Sequence, residues 1–282
     1  MNPFQLTGFK FLSFYVLVGI AVVWGLRIWL RQRETANAPP QQNMTDPYLI
    51  AYLRAGANEA LRVATFALLD RGLLVAKAEK LKRKDVNAVG VAQRPIEKAI
   101  LQFYAREGEG HEIFKDPGAK NACESYGQAL KLQGMLADRS TFSQRLAPAA
   151  IALAILVGIT WIKISIALSQ GRHNVGFLTV LTAVFACVVL YVWFRPRTGL
   201  GDAMMADLKS LFDRLKVRAK TLQAGGATNE AALLAAVFGL AAVPAAAFPF
   251  LEKLYPKKSS DGSGCGSSSC SSGDSSGGGG GG

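Results

Sequence analysis

The sequence predicts a mainly α-helical, multi-pass membrane protein with a small winged-helix-like domain (helices plus a short β-hairpin) on the cytoplasmic side. Three observations lead there. Long apolar runs recur along the chain, capped segments with helical apolar spacing fill the stretch between the first two, and arginines gather on one side of each run.

The first run, "FLSFYVLVGIAVVWGLRIWL" (Phe11 to Leu30), has 20 residues, about 30 Å as a helix and so the thickness of a bilayer core. Its one charge, Arg27, lies near an end, where its stem reaches the headgroups. Ala36-Asn37-Ala38 mimics a signal-peptidase site, but the run is too long for a signal peptide and Arg27, Arg31 and Arg33 intervene. Residues 1–30 are therefore expected to be an uncleaved anchor.

"VGFLTVLTAVFACVVLYVWF" (Val175 to Phe194) carries no charge, and "LAPAAIALAILVGITWIKISIAL" (Leu146 to Leu168) precedes it by only "SQGRHN". So short a loop makes the two antiparallel, giving a transmembrane hairpin over residues 146–194. All four tryptophans fall in the three runs, as interfacial anchoring favours. Lys163 is the odd residue. An intramembrane cation can mark an ion or substrate path, but a snorkelling lysine is the preferred reading.

Arg31 and Arg33 follow the first run, Arg139 and Arg145 approach the second, and Arg195 and Arg197 follow the third, against Lys10 and Arg172 on the other side. The positive-inside rule then puts residues 31–145 in the cytoplasm and the N-terminus outside. The net charge of +12 is in part this bias and no proof of a nucleic-acid partner.

A polar linker (31–45) leads into the domain expected at 46–145. Asp46-Pro47 supplies an N-cap and first-turn proline, and Gly56 a stop. Asn58 is expected to cap a second helix carrying Leu61, Thr65, Leu68 and Leu69, ended by Arg71-Gly72. Two β-prone runs, Leu73 to Val75 and Val86 to Val91, flank a charged tip. Pro95 opens a helix with Ile96, Ile100, Leu101 and Tyr104 on one face. A further helix around Ala122 to Leu136 turns Cys123, Tyr126, Leu130 and Met135 inward. Helix, helix, hairpin, helix is the winged-helix order. Lys77, Lys80, Lys82, Arg83 and Lys84 would then sit on the wing, able to meet phosphate or anionic lipid headgroups. No helix has the Arg, Asn and Gln run that base-edge contacts require, so nucleic acid is not the expected partner.

Residues 195–257 hold two more helices. "GDAMMADLKSLFDRLKVRAK", capped by Asp202, places Met204, Leu208, Leu211, Phe212, Leu215 and Leu222 on one face. That suits an interfacial helix on an anionic leaflet, or packing against the domain. "AALLAAVFGLAAVPAAAFPF" (Ala231 to Phe250) is long enough to span, but nine alanines and Pro244 and Pro249 favour a cytoplasmic or interfacial helix. The tail, 258–282, is Gly/Ser-rich low complexity with Cys265 and Cys270, and is expected to be disordered. Two thiols do not complete a zinc site.

"DPYLIAYLRAG", "LLDRGLL", the hairpin of spans, "RPRTGLGDAMMADL", "AAVFGLAAV" and the Gly/Ser/Cys tail together resemble a family of uncharacterised bacterial membrane proteins with Gly/Cys-rich C-terminal tails. The resemblance implies residence in a bacterial inner membrane and carries over no functional residue. This tail departs from the pattern, with two cysteines and a plain glycine run in place of repeated Cys-Gly units.

Chemistry-bearing residues are sparse. His111 stands beside Glu107, Glu109 and Glu112, a group that could attract a cation, but the spacing fits no metal-site pattern and an exposed acidic loop is preferred. His173 is expected to help the outer turn. No phosphate loop or nucleophile elbow is present in the sequence. No catalytic, cofactor-binding or metal residue is therefore assigned. The expected role is a non-enzymatic one, a cytoplasmic module held at the membrane to bind an unknown protein partner. The alternatives are a membrane enzyme or transport component using Lys163 or Glu107, Glu109 and Glu112, and, behind that, a membrane-tethered DNA-binding regulator.

Overall fold

The structure is a computed structural model that describes residues 8–36, 44–77, 80–169, 176–218, 230–244 and 248. Two cores organise it. One is a bundle of three apolar helices, α1 (Gly8–Ala36), α7 (Arg139–Ser169) and α8 (Gly176–Trp193), and the other is a helical module with a small sheet.

All three bundle helices are long and apolar enough to cross a membrane. Only 22%, 22% and 17% of their apolar windows is buried in the protein, so residues such as Leu17, Trp24, Trp161 and Phe177 stand exposed. Water disfavours so large an apolar surface, while hydrocarbon does not. At 29 and 31 residues, α1 and α7 reach about 44–46 Å, which exceeds the thickness of a bilayer core. Between the helices, small residues permit close approach. A Cβ on Gly19 would lie 2.5 Å from the Phe185 ring.

A hydroxyl cluster absent from the sequence reading ties the bundle together. The Tyr15 hydroxyl lies 2.9 Å from Thr182 Oγ1 and 3.0 Å from Thr160 Oγ1, and the two threonines are 2.8 Å apart. Tyr15 and Thr160 are buried, so the groups satisfy one another where no water competes. Tyr15→Phe should destabilise the bundle by about 0.6–1.7 kcal/mol, checked by its thermal midpoint in detergent. An unchanged midpoint would mean the cluster is idle.

The module begins as its sequence dictates. Asp46 accepts a hydrogen bond from the Tyr48 N–H at 3.0 Å, Pro47 opens α2 (Pro47–Ala55), and Gly56, at φ +82°, ends it. α3 (Ala57–Asp70) begins directly on Gly56, so Asn58 lies inside the first turn and is not its cap. Every residue of α3 from Val63 to Leu69 is buried, making it the central helix of this core. Ile96, Ile100 and Leu101 of α5 (Pro95–Phe103) are buried, as is Tyr104 just after it. α6 runs Pro117–Leu132, capped by Asp116 accepting from the Ala119 N–H at 2.7 Å, and buries Cys123 and Leu130 with Tyr126 half-buried. Burial pushes the Cys123 thiol up to about 12, which keeps it protonated and unreactive.

The hairpin departs from expectation. Its strands are β1 (Leu74–Lys77) and β2 (Lys80–Arg83), joined antiparallel, and β3 (Gly108–Glu109) adds to β2. The charged run is thus the middle strand and no tip. Period-2 alternation explains it: Leu81 points into the core while Lys80 and Lys82 face water. Val86 to Val91 is not a strand; it holds the single helical turn α4 (Ala88–Val91), of which only Ala88 is buried.

α9 (Gly199–Arg218) starts before Asp202, which lies in its first turn, and packs on α1, α2 and α10. Met205 and Leu208 are buried and Met204 and Phe212 half-buried, but Leu211 is exposed. The Leu215 side chain and Leu222 lie outside the described residues. α10 is only Glu230–Phe238, nine residues, and is not among the helices able to cross a membrane. Its alanines and Leu234 pack on α2, α3 and α9, and Phe248 returns to meet Phe66 edge-on at 5.0 Å. The linker residues 37–43, His173 and the tail lie outside the described residues.

Candidate functional site

The most distinctive side-chain cluster joins the two cores. It forms where the C-terminal end of α1, the N-terminal part of α7 and the C-terminal end of α8 meet. Arg145 of α7 is buried, and its guanidinium serves three acceptors at once. Nε donates to Glu34 Oε1 at 2.7 Å, Nη1 to the Arg195 carbonyl at 2.7 Å and Nη2 to the Arg197 carbonyl at 3.1 Å. A planar fork suits this arrangement in a way that a lysine ammonium does not. Glu34 uses its other oxygen to accept the Gly199 N–H. Asp202 pairs with Arg195 at 3.1 Å and Arg197 at 3.8 Å. Burial lowers the pKa of Arg197 and the Asp202 carboxylate opposes that, so the arginine stays charged.

The segment "RPRTGLGD" is built to hold this junction. The Ala137 N–H donates to the Pro196 carbonyl at 2.8 Å, and Leu136 bridges Arg197. Thr198 donates its backbone N–H to Met135 at 3.2 Å and its hydroxyl to the Gly134 carbonyl at 2.6 Å, then accepts the Gly201 N–H at 3.2 Å. Thr198 therefore caps α9. A Cβ on Gly199 would sit 3.2 Å from the Arg31 backbone, and one on Gly201 only 2.3 Å from the Met135 carbonyl oxygen. Backbone cannot move aside as a side chain can. Gly201→Ala should therefore cost about 1–3 kcal/mol and raise amide exchange at Ala137 and Thr198. Wild-type exchange there would refute the close packing.

A second polar cluster lies within the module. Glu97 on α5 is buried, and its Oε1 accepts the Tyr48 hydroxyl at 2.7 Å and Arg71 Nη2 at 2.5 Å. Arg94 pairs with Asp46 and lies over the Tyr48 ring, 5.2 Å from its centroid. Burial, reinforced by the Glu97 charge, raises the Tyr48 pKa and keeps the phenol protonated as a donor. This cluster ties the start of α2 to α3 and α5.

The residues singled out from sequence occupy different places. Lys163 is half-buried on α7, its ammonium 4.3 Å from the centre of the Phe11 ring of α1. Glu107 pairs with Lys82 at 3.3 Å, Glu109 lies 3.1 Å from His111 Nδ1, and Glu112 accepts the Glu109 N–H at 3.0 Å. The three carboxylates thus turn to three different partners. Among the described residues no group of His, Cys, Asp and Glu could hold a metal ion. Lys77, Lys80 and Lys82 are exposed on one small sheet, with Lys80 opposite Glu109 in the ladder.

Fold and junction define a mainly helical chain with three helices suited to a bilayer and a compact module fastened to one end of them. No protein-family model, curated protein or solved structure matches it. Sequence reasoning placed Arg145, Arg195 and Arg197 only as topology signals. Glu34, the acid that pairs Arg145, and Asp202, read as a cap, offered no signal beyond being acids beside arginine-rich span ends.

Proposed function

We propose that the chain is a multi-pass protein of a bacterial inner membrane that holds a winged-helix-like module on the cytoplasmic side as a binding platform for a protein partner. The observation that carries this is the gathering of Arg31, Arg33, Arg139, Arg145, Arg195 and Arg197 at the same end of the three apolar helices, the end to which the module is fastened. Positive charge of that kind is retained on the cytoplasmic face. The N-terminus and the 170–175 loop then lie outside. The helix, helix, hairpin, helix order supports the winged-helix-like reading, and the carboxylates of Glu107 and Glu109 beside the lysine strand speak for a protein contact over DNA.

A photoreactive residue placed at Val86, exposed beside the hairpin, should give one discrete adduct in intact cells, while the same residue at Trp161 on the lipid-facing surface should not. The competing reading, an enzyme or transport component, is tested by Lys163→Leu and by Glu107→Ala with Glu109→Ala and Glu112→Ala. Loss of a cellular phenotype in either variant, with insertion and folding intact, would replace the platform reading with the competing one.

A further inference from the structure

Between α1 and α8 lies a cleft of about 520 Å³ whose lining changes character along its length. On α1, Val23, Arg27 and Arg31 follow one another at four-residue spacing, hence on one face of the helix. On α8 and the residues after it, Val188 and Val192 lead to Arg195. Both walls therefore run from apolar to cationic in the same direction, over roughly 12 Å. Five arginines and two carboxylates, Glu34 and Asp202, line the cationic half. Arg145 and Glu34 satisfy each other and Asp202 is shared by two arginines, so the pocket keeps a strong positive excess. Arg27 forms no ion pair with any acid among the described residues.

We infer that this cleft binds one anionic glycerophospholipid, its phosphate against Arg27, Arg31 and Arg195 and the start of an acyl chain between Val23, Trp24, Val188 and Val192. A ligand with an anionic head and an apolar tail matches both ends of the lining, and neither a free anion nor a neutral lipid does. A zwitterionic headgroup brings its own ammonium into the arginines and loses the advantage. The site fits a lipid because Arg27 and Arg31 lie one and two turns beyond Val23, at the end of the apolar run of α1, the level of the headgroups when these helices span a bilayer. The inference rests on that spanning arrangement.

The test uses the full chain purified in neutral detergent, given equal amounts of phosphatidylglycerol and phosphatidylcholine with identical chains and followed by native mass spectrometry. Phosphatidylglycerol should be retained preferentially. Arg27→Gln and Arg31→Gln should each reduce its retention about fivefold, while Lys80→Gln with Lys82→Gln leaves it unchanged. Equal retention of the two lipids, or no effect of Arg27→Gln, would overturn the site, as would inorganic phosphate displacing the lipid at comparable concentration. Val188→Trp, which fills the apolar half without touching an arginine, guards against misfolding of the arginine variants: retention unaffected by it also overturns the site. Extraction of membranes with alkaline carbonate separates the two levels. A chain that stays in the membrane yet shows no lipid preference removes the site alone, whereas a chain that is extracted removes the spanning arrangement beneath it.

Discussion

Arg145→Ala should cost about 3–5 kcal/mol, the largest effect of any single substitution outside the cores. The reason is what remains after the guanidinium is gone. Glu34 keeps its charge in a half-buried position, and the carbonyls of Arg195 and Arg197 lose their donors. Breaking one partner of such a pair is costlier than replacing both, because the orphaned charge loses its partner while it regains only part of its water. Arg145→Met combined with Glu34→Met should therefore recover part of the loss. Arg145→Lys should not recover it, since an ammonium cannot span three acceptors in one plane. The thermal midpoint of the detergent-solubilised chain, with protease cleavage at residues 134–138 as a local probe, measures the effect. A midpoint unchanged in Arg145→Ala would show that the junction does not hold the module to the bundle.

Leu234→Ala should cost about 2–5 kcal/mol. Leu234 is fully buried on α10, within the same core as α2 and α3, and the alanines around it offer little side chain that could collapse into the cavity. The loss should appear as faster amide exchange along α3, the helix most enclosed by this core. A fourth span would behave differently, because its leucine would face lipid and leave α3 untouched. Unchanged exchange in α3 would thus place the alanine-rich segment outside the module.

The legibility of these features in the sequence follows the range of the interaction behind them. Run length and charge fixed the three apolar helices, because crossing a bilayer is a requirement on consecutive residues. Capping is equally local, so Asp46-Pro47, Gly56 and Arg71-Gly72 were readable as they stand. The second strand was not, since "KLKR" shows one buried leucine among cations and the signal for a strand is the partner it lies beside. α9 was placed but its cap was not, because Thr198 is fixed by Gly134 and Met135, more than sixty residues earlier. The junction was least legible of all. Arg145 and Glu34 are separated by 111 positions, and Tyr15 meets Thr160 and Thr182 at still greater separation. Nothing in the neighbourhood of either residue announces the other. The apolar run that holds α10 was visible, but composition alone cannot distinguish lipid from a protein core as the surface that covers it.

Orientation of the module relative to the bilayer is the claim on which the platform and the lipid cleft both depend. In a background with Cys123, Cys187, Cys265 and Cys270 replaced by serine, a membrane-impermeant maleimide should label Asn174→Cys in intact cells. Ser125→Cys, on the exposed side of α6, should be labelled only after permeabilisation. Labelling of Ser125→Cys from outside, with Asn174→Cys protected, would contradict the arrangement and turn the module to the opposite face of the membrane.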